Sequence, residues 1–139
     1  MNTIEKGFLT ELQCQKDFIE LGYIVSQPII PCRYDFLVDL GDKIIKVQCK
    51  SSHLNDTVGK SITFYCQSTH NPKGGKNIKK GYKNQIDYFY TCWEEQGYLV
   101  PVSECSSTKT LRFTVEHPTK TMNWAKDYEI QKVLEEVSK

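Results

Sequence analysis

Apolar residues recur at near-helical spacing from Ile4 to Leu21, where Ile4, Phe8, Leu12, Phe18 and Leu21 stand among polar neighbours. Asn2 or Thr3 supplies a capping side chain and Gly22 a stop, so the segment predicts an opening helix whose apolar stripe faces the core. The period then shortens. Tyr23 to Ile30 reads as extended and ends near Pro31, and RYDFLVDL and KIIKVQCKS are two β-rich runs separated by Gly41-Asp42, the mark of a hairpin with a two-residue loop. SITFYC, IDYFYTCW, YLVPV and TLRFTV add strand candidates. MNWAKDYEIQKVLEEVSK predicts a closing amphipathic helix over about 122–138, through Trp124, Tyr128, Val133, Leu134 and Val137. The expected class is α/β or α+β, a mixed β-sheet flanked by helices.

At 139 residues, 39% hydrophobic and 12% aromatic, the chain holds enough apolar material for one core, and no repeat or linker divides it. A single domain over 1–139 is expected. With no apolar run of membrane-spanning length and acids near the N-terminus, the expectation is a soluble, intracellular, cytoplasmic protein without a membrane partner. Six cysteines (Cys14, Cys32, Cys49, Cys66, Cys92 and Cys105) show neither CxxC nor the paired Cys/His spacing of a zinc site, so reduced thiols are expected. His53, His70 and His117 lack the spacing of a histidine-based nuclease motif and read as solvated.

The formal charge of +1 excludes a histone-like polycation but conceals an asymmetry. Residues 57–86 contain six lysines (Lys60, Lys73, Lys76, Lys79, Lys80 and Lys83) and no acid, which leaves 12 basic against 17 acidic groups for the other positions. Within this segment, STHNPKGGKNIKKGYKN has the composition of a mobile loop, about 67–85, suited to following a phosphate backbone. The lysines are expected to make phosphate contacts. Asn77, with Asn71, Asn84 and Gln85, has side chains suited to reading base edges. A solvated surface loop has the same composition.

If Gly41-Asp42 closes a two-residue turn, Leu40 opposes Lys43, and Asp35 falls directly across from Gln48. Side chains two apart share a face, so Asp35, Gln48 and Lys50 project to one side while Phe36, Val38, Val47 and Cys49 fill the other. Carboxylate and amide oxygens are the hard ligands Mg²⁺ prefers, and an adjacent amine suits an attacking water or the charge building on a phosphate. Glu11 brings a second carboxylate if the first helix packs on the sheet. Asp39 and Lys46 share the same face, so a plain polar hairpin surface accounts for these residues equally well.

Glu11 on an opening helix, Asp35 on a strand and Gln48-Cys49-Lys50 on its hairpin partner resemble the PD-(D/E)XK nuclease superfamily. Gln in place of the usual acid, the run Arg33-Tyr34-Asp35, VQCKS, and the later QIDYF and YLVPV blocks are similar to its group I intron homing endonuclease branch. The resemblance spans residues 4 to about 105. It implies a restriction-endonuclease-like core and an active site of Glu11, Asp35, Gln48 and Lys50. It also implies a divalent metal, Mg²⁺ with Mn²⁺ as a substitute, on Asp35, Glu11, Gln48 and the backbone carbonyl of Cys49. The implied activity is endonucleolytic hydrolysis of double-stranded DNA by a homodimer or homotetramer. Tyr34 replaces the nominal proline of the motif, and Gln48 removes a negative charge from the metal site. The same residues are similar to junction-resolving nucleases, and the weakened metal site also suits a nuclease-fold DNA-binding protein without catalysis.

Overall fold

A computed structural model describes residues 1–57, 59–70, 72, 74–114 and 122–137. Helix α1, Thr3–Glu20, begins where the Asn2 side chain accepts the Glu5 N–H at 2.9 Å. The strands are β1 Ile24–Ser26, β2 Phe36–Asp39, β3 Ile44–Cys49, β4 His53–Asn55, β5 Ser61–Tyr65, β6 Ser68–His70, β7 Ile78–Lys80, β8 Tyr88–Trp93, β9 Gln96–Pro101 and β10 Thr108–Arg112. Helix α2, Ile130–Val137, closes the described chain.

The central sheet has the order β1-β2-β3-β8-β9, antiparallel throughout except for the parallel pairing of β3 with β8. Asp87 pins that parallel pair. Its side chain accepts the Lys46 N–H at 2.8 Å and its own N–H donates to the Lys46 carbonyl at 2.9 Å. The hairpin of β2 and β3 has the expected register, with Phe36 facing Val47 and the Leu40 N–H donating to the Lys43 carbonyl. Gly41 turns it at φ +99°, a conformation that favours glycine.

One face of the sheet packs Phe36, Val38, Ile45, Val47, Tyr90 and Leu99 against Cys14 and Phe18 of α1 and Ile130 and Leu134 of α2. The other packs Phe89 and Val100 against Ile62 and Phe64 of β5 and Leu111 of β10, within a second sheet ordered β10-β5-β4. The two layers explain the near-continuous burial of β8 and β9. The architecture is the mixed α+β arrangement expected, and all six cysteines are free thiols.

Several expectations need correction. The face of α1 that meets the sheet is Thr10, Cys14 and Phe18, whereas Ile4, Phe8, Leu12 and Leu21 are exposed. Phe18 fills the core, whereas at the sheet end the small Thr10 lets α1 approach closely, its Oγ1 lying 3.0 Å from Ser51 Oγ. The extended run after Gly22 is regular only over Ile24–Ser26. The closing helix is shorter than 122–138: a 3₁₀ turn over Ala125–Tyr128 comes first, and extended Glu129, with ψ 133°, separates it from α2. The basic segment is not one open loop, because β6 and β7 pair as a hairpin with Ser68 opposite Lys80. Lys73, Asn71 and His117, and the far end of the predicted TLRFTV strand, lie outside the described residues. Among the described residues, no helix is long and apolar enough to cross a membrane.

Candidate active site

Asp35 immediately precedes β2 and Gln48 lies near the end of β3, so the hairpin register brings both to one end of the central sheet. Phe36, Val47 and Cys49 are buried between them in sequence, while Asp35, Gln48 and Lys50 remain partly exposed, which is the alternation expected. Asp35 is held at both ends of its residue. Its N–H donates to the Val47 carbonyl at 2.9 Å, and its Oδ2 accepts the Cys49 N–H at 2.9 Å.

Helix α1 brings Glu11 over this sheet end. Besides the Thr10–Ser51 contact, Lys6 Nζ donates to the Ser52 carbonyl at 2.8 Å, so two consecutive turns of α1 are tied to the segment just after Lys50. Glu11, Asp35, Gln48 and Lys50 consequently line one groove of about 350 Å³, with Ile4, Gly7 and Phe8 along its helical wall. Thr10 and Ser51 position the site and were missed in the sequence. The small hydroxyl residue beside Glu11 and the serine after the lysine of VQCKS were the available signal.

The electrostatics follow from two carboxyls meeting in a partly buried place. Burial, then the neighbouring Asp35 charge and hydrogen bond, push the Glu11 carboxyl up to about 7. Burial also raises Asp35, against the opposing pull of the Cys49 N–H, the Glu11 hydrogen bond and the Lys50 ammonium. Such a pair holds a shared proton near neutral pH unless a cation replaces it. Two adjacent carboxyls, the Gln48 amide and the Cys49 carbonyl, toward which Gln48 Nε2 lies at 3.5 Å, form an oxygen-rich donor set that fits a hard divalent cation. Among the described residues no cluster of three or more His, Cys, Asp and Glu offers an alternative metal site.

The basic hairpin is rooted beside this groove by Arg33, two residues before Asp35. Its Nε donates to Gln85 Oε1 at 2.7 Å, Nη1 to Ser68 Oγ at 2.6 Å, and Nη2 to the Gly81 carbonyl at 2.7 Å. Both strands of the hairpin are thereby held at their bases. The guanidinium also lies 3.7 Å from the Tyr82 ring centroid, and the Lys50 ammonium lies 5.1 Å from the same ring. Tyr82 is buried and belongs to the core, although its sequence neighbours are solvent-facing lysines and glycines.

Lys76, Asn77, Lys79, Lys80 and Lys83 are exposed on and around the hairpin. Among the described residues none of the four lysines forms a salt bridge. Gln85 is engaged by Arg33 and does not stand open as a base reader. Lys60 does not join this group: it precedes β5, at the end remote from the hairpin, in a cavity with Trp93, Glu94 and Phe113. Sequence proximity had grouped it with lysines that β5 carries away from it.

The profile of the PD-(D/E)XK endonuclease family matches residues 1–131. Among solved structures, a bacterial homing endonuclease, I-Ssp6803I, superposes with a TM-score of 0.66 at 20% identity, covering 98% of this chain and 91% of that one. That likeness concerns the fold. No curated protein matches the chain. With a helical glutamate, a strand aspartate and a Q-x-K strand gathered at one sheet end and the family profile covering nearly its full length, the chain belongs to the PD-(D/E)XK endonucleases.

Proposed function

We propose that the protein is a metal-dependent, site-specific endonuclease of double-stranded DNA, acting as a group I intron homing endonuclease and cutting both strands as a homo-oligomer. The observation that carries this reading is the adjacency of the Glu11–Asp35–Gln48–Lys50 groove to a lysine-bearing hairpin that Arg33 roots beside it. A groove alone suits many hydrolases. A polycationic arm next to it suits a substrate that is itself a polyanion.

Asp35, Glu11, Gln48 and the Cys49 carbonyl would hold the metal, Mg²⁺ or Mn²⁺, which when bound supplies Lewis-acid neutralisation of charge on the phosphoryl oxygens. Gln48 contributes an oxygen without a charge, so affinity for the cation rests chiefly on Asp35 and Glu11. Lys50 donates to the attacking water or to a non-bridging phosphate oxygen, and its ammonium is steadied over the Tyr82 ring at 5.1 Å. In-line attack at phosphorus with departure of the 3′-oxygen leaves a 5′-phosphate. Lys76, Lys79, Lys80 and Lys83 meet the phosphate backbone, and Asn77 has a side chain suited to base edges.

The test is cleavage of genomic DNA fragments by purified protein with Mg²⁺, alongside a four-way junction of unrelated sequence. Cuts at a few discrete duplex positions with 5′-phosphate ends are expected. Preferential cutting of the junction whatever its sequence would replace this reading with junction resolution. Salt-sensitive binding without any cleavage across such a fragment set would replace it with a binding protein.

A further inference from the structure

Cys66, just after β5, and Cys105, just after the 3₁₀ turn Val102–Glu104, are far apart in sequence and adjacent in the fold. The β5–β10 pairing brings them together. The Cys66 N–H donates to the Ser107 carbonyl at 2.8 Å, and Cys105 lies two residues before Ser107. The two thiols are close enough to hydrogen-bond with each other. Cys66 is 2% exposed, whereas Cys105 is partly open to solvent.

Lys109 of β10 is buried beside the pair. Its ammonium donates to the Glu104 carbonyl at 3.3 Å, stands 3.9 Å from the Glu104 carboxylate and lies 5.2 Å from the Tyr128 ring centroid. The Cys105 hydrogen bond, with the Lys109 and Lys50 ammoniums, holds the Cys66 thiol below its ordinary range against the opposing effect of burial. Cys105 is pushed up, first by the same hydrogen bond and then by burial. One sulfur is thus disposed to be a thiolate and its neighbour to keep a proton, the division between an attacking and a resolving thiol. We propose that Cys66 and Cys105 form a redox modification site, which peroxide converts reversibly to an intramolecular disulfide.

The Cys66 thiolate attacks one oxygen of hydrogen peroxide: an S–O bond forms, the O–O bond breaks, and the departing hydroxide takes up the proton that Cys66 had lost. The Cys105 sulfur then attacks the Cys66 sulfenic acid. An S–S bond forms, the S–O bond breaks, and the hydroxyl leaves as water with the Cys105 proton. Two thiols lose two electrons, and one peroxide is reduced to two waters. Closure needs the sulfurs to move from hydrogen-bond contact to about 2.05 Å. The bridge encloses β6 to β9 and staples the root of the basic hairpin, where Arg33 holds Ser68 two residues beyond Cys66, to the β9–β10 connection. Cys14 and Cys49 provide a contrast within the same chain. They too are thiol neighbours, between α1 and β3, but Cys14 is fully buried, and burial and the Cys14 hydrogen bond push the Cys49 thiol well up, so this pair stays reduced. None of this requires the nuclease reading.

The test is to treat the reduced, full-length protein with stoichiometric hydrogen peroxide, alkylate it under denaturing conditions, and map the digest by mass spectrometry. A mass loss of about 2 Da and a cross-linked peptide joining Cys66 to Cys105 are expected, with dithiothreitol restoring all six free thiols. That peptide should form at least about tenfold faster than any oxidised species at Cys14 or Cys49. Cys105→Ser should form no bridge and should leave a Cys66 sulfenic acid that dimedone labels. A digest without the Cys66–Cys105 peptide would overturn the proposal. So would a bridge between Cys14 and Cys49, or one between chains through the exposed Cys32, formed in its place.

Discussion

The main-chain N–H of Cys49 donates to Asp35 Oδ2 at 2.9 Å, so the carboxylate that faces Glu11 also closes the end of the β2–β3 pairing. Asp35 therefore has a structural and a chemical duty, and two substitutions separate them. Asp35→Asn keeps an oxygen for the Cys49 N–H and should retain stability while lowering cleavage by about 10²-fold or more. Asp35→Ala leaves that N–H without its acceptor and should cost about 1–3 kcal/mol in addition. Urea denaturation beside a plasmid-cleavage assay reads both effects.

Tyr82 lies under both the Arg33 guanidinium and the Lys50 ammonium, and it is the face of the ring that they use. Tyr82→Phe preserves that face and should cleave nearly as wild type. Tyr82→Leu removes it and should lower the cleavage rate at saturating DNA by about tenfold, in keeping with a cation–π contact of about 0.5–2 kcal/mol. Single-turnover rates for the two variants check the difference.

The raised Glu11 carboxyl gives a sign to the pH dependence of the metal-free protein. Its proton is bound more tightly in the folded chain, at about 7, than at the ordinary value of 4.5, so the protonated form favours folding. That contribution is fully present below about 4.5 and is lost as pH rises through about 7. Thermal melts in chelator should show stability falling over this window, and Glu11→Gln should flatten the fall. Added divalent metal should restore stability at the alkaline end and release protons on binding.

Much of this arrangement is legible in the sequence, and the reason is the turn. A Gly-Asp pair between two β-rich runs allows one tight register, and that register alone sets Asp35 across from Gln48. The helical stripe was misread because periodicity reports that a helix has an apolar face, not which face the sheet takes; Thr10 and Cys14 are small and carry no hydrophobic signal comparable to Phe8 or Leu12. Arg33 and Tyr82 were hidden for a different reason. Their partners are 35 to 52 residues away for Arg33, and Tyr82 sits in a run whose composition is that of a loop. The short strand β4 and the hairpin of β6 and β7 have three residues per strand, too few for an alternation to show.

Gly97, near the start of β9, shows the same dependence on distant partners. A Cβ on Gly97 would lie 2.2 Å from Asp17 Oδ2 and 2.7 Å from the Tyr90 ring, two groups already joined by a hydrogen bond of 2.5 Å. Gly97→Ala should destabilise the fold by about 1–3 kcal/mol without altering the cleavage pattern of the folded fraction. Thermal denaturation and a cleavage map together test this.

Hairpin lysines should govern affinity more than chemistry. Replacing Lys79 and Lys80 together by alanine should weaken duplex binding and reduce the slope of log K against log salt by roughly 0.9 for each phosphate contact removed. Lys60→Ala, remote from the hairpin, should leave that slope unchanged. Binding titrations over a salt series distinguish the two.

The most direct test of the active-site assignment is the rate of divalent-metal-dependent DNA cleavage by wild-type protein measured beside Lys50→Ala and Asp35→Asn at equal concentration. Cleavage that requires the metal and falls by at least about 10²-fold in both folded variants is the expected result. Cleavage that persists at the wild-type rate in either variant would contradict the assignment of the groove formed by Glu11, Asp35, Gln48 and Lys50.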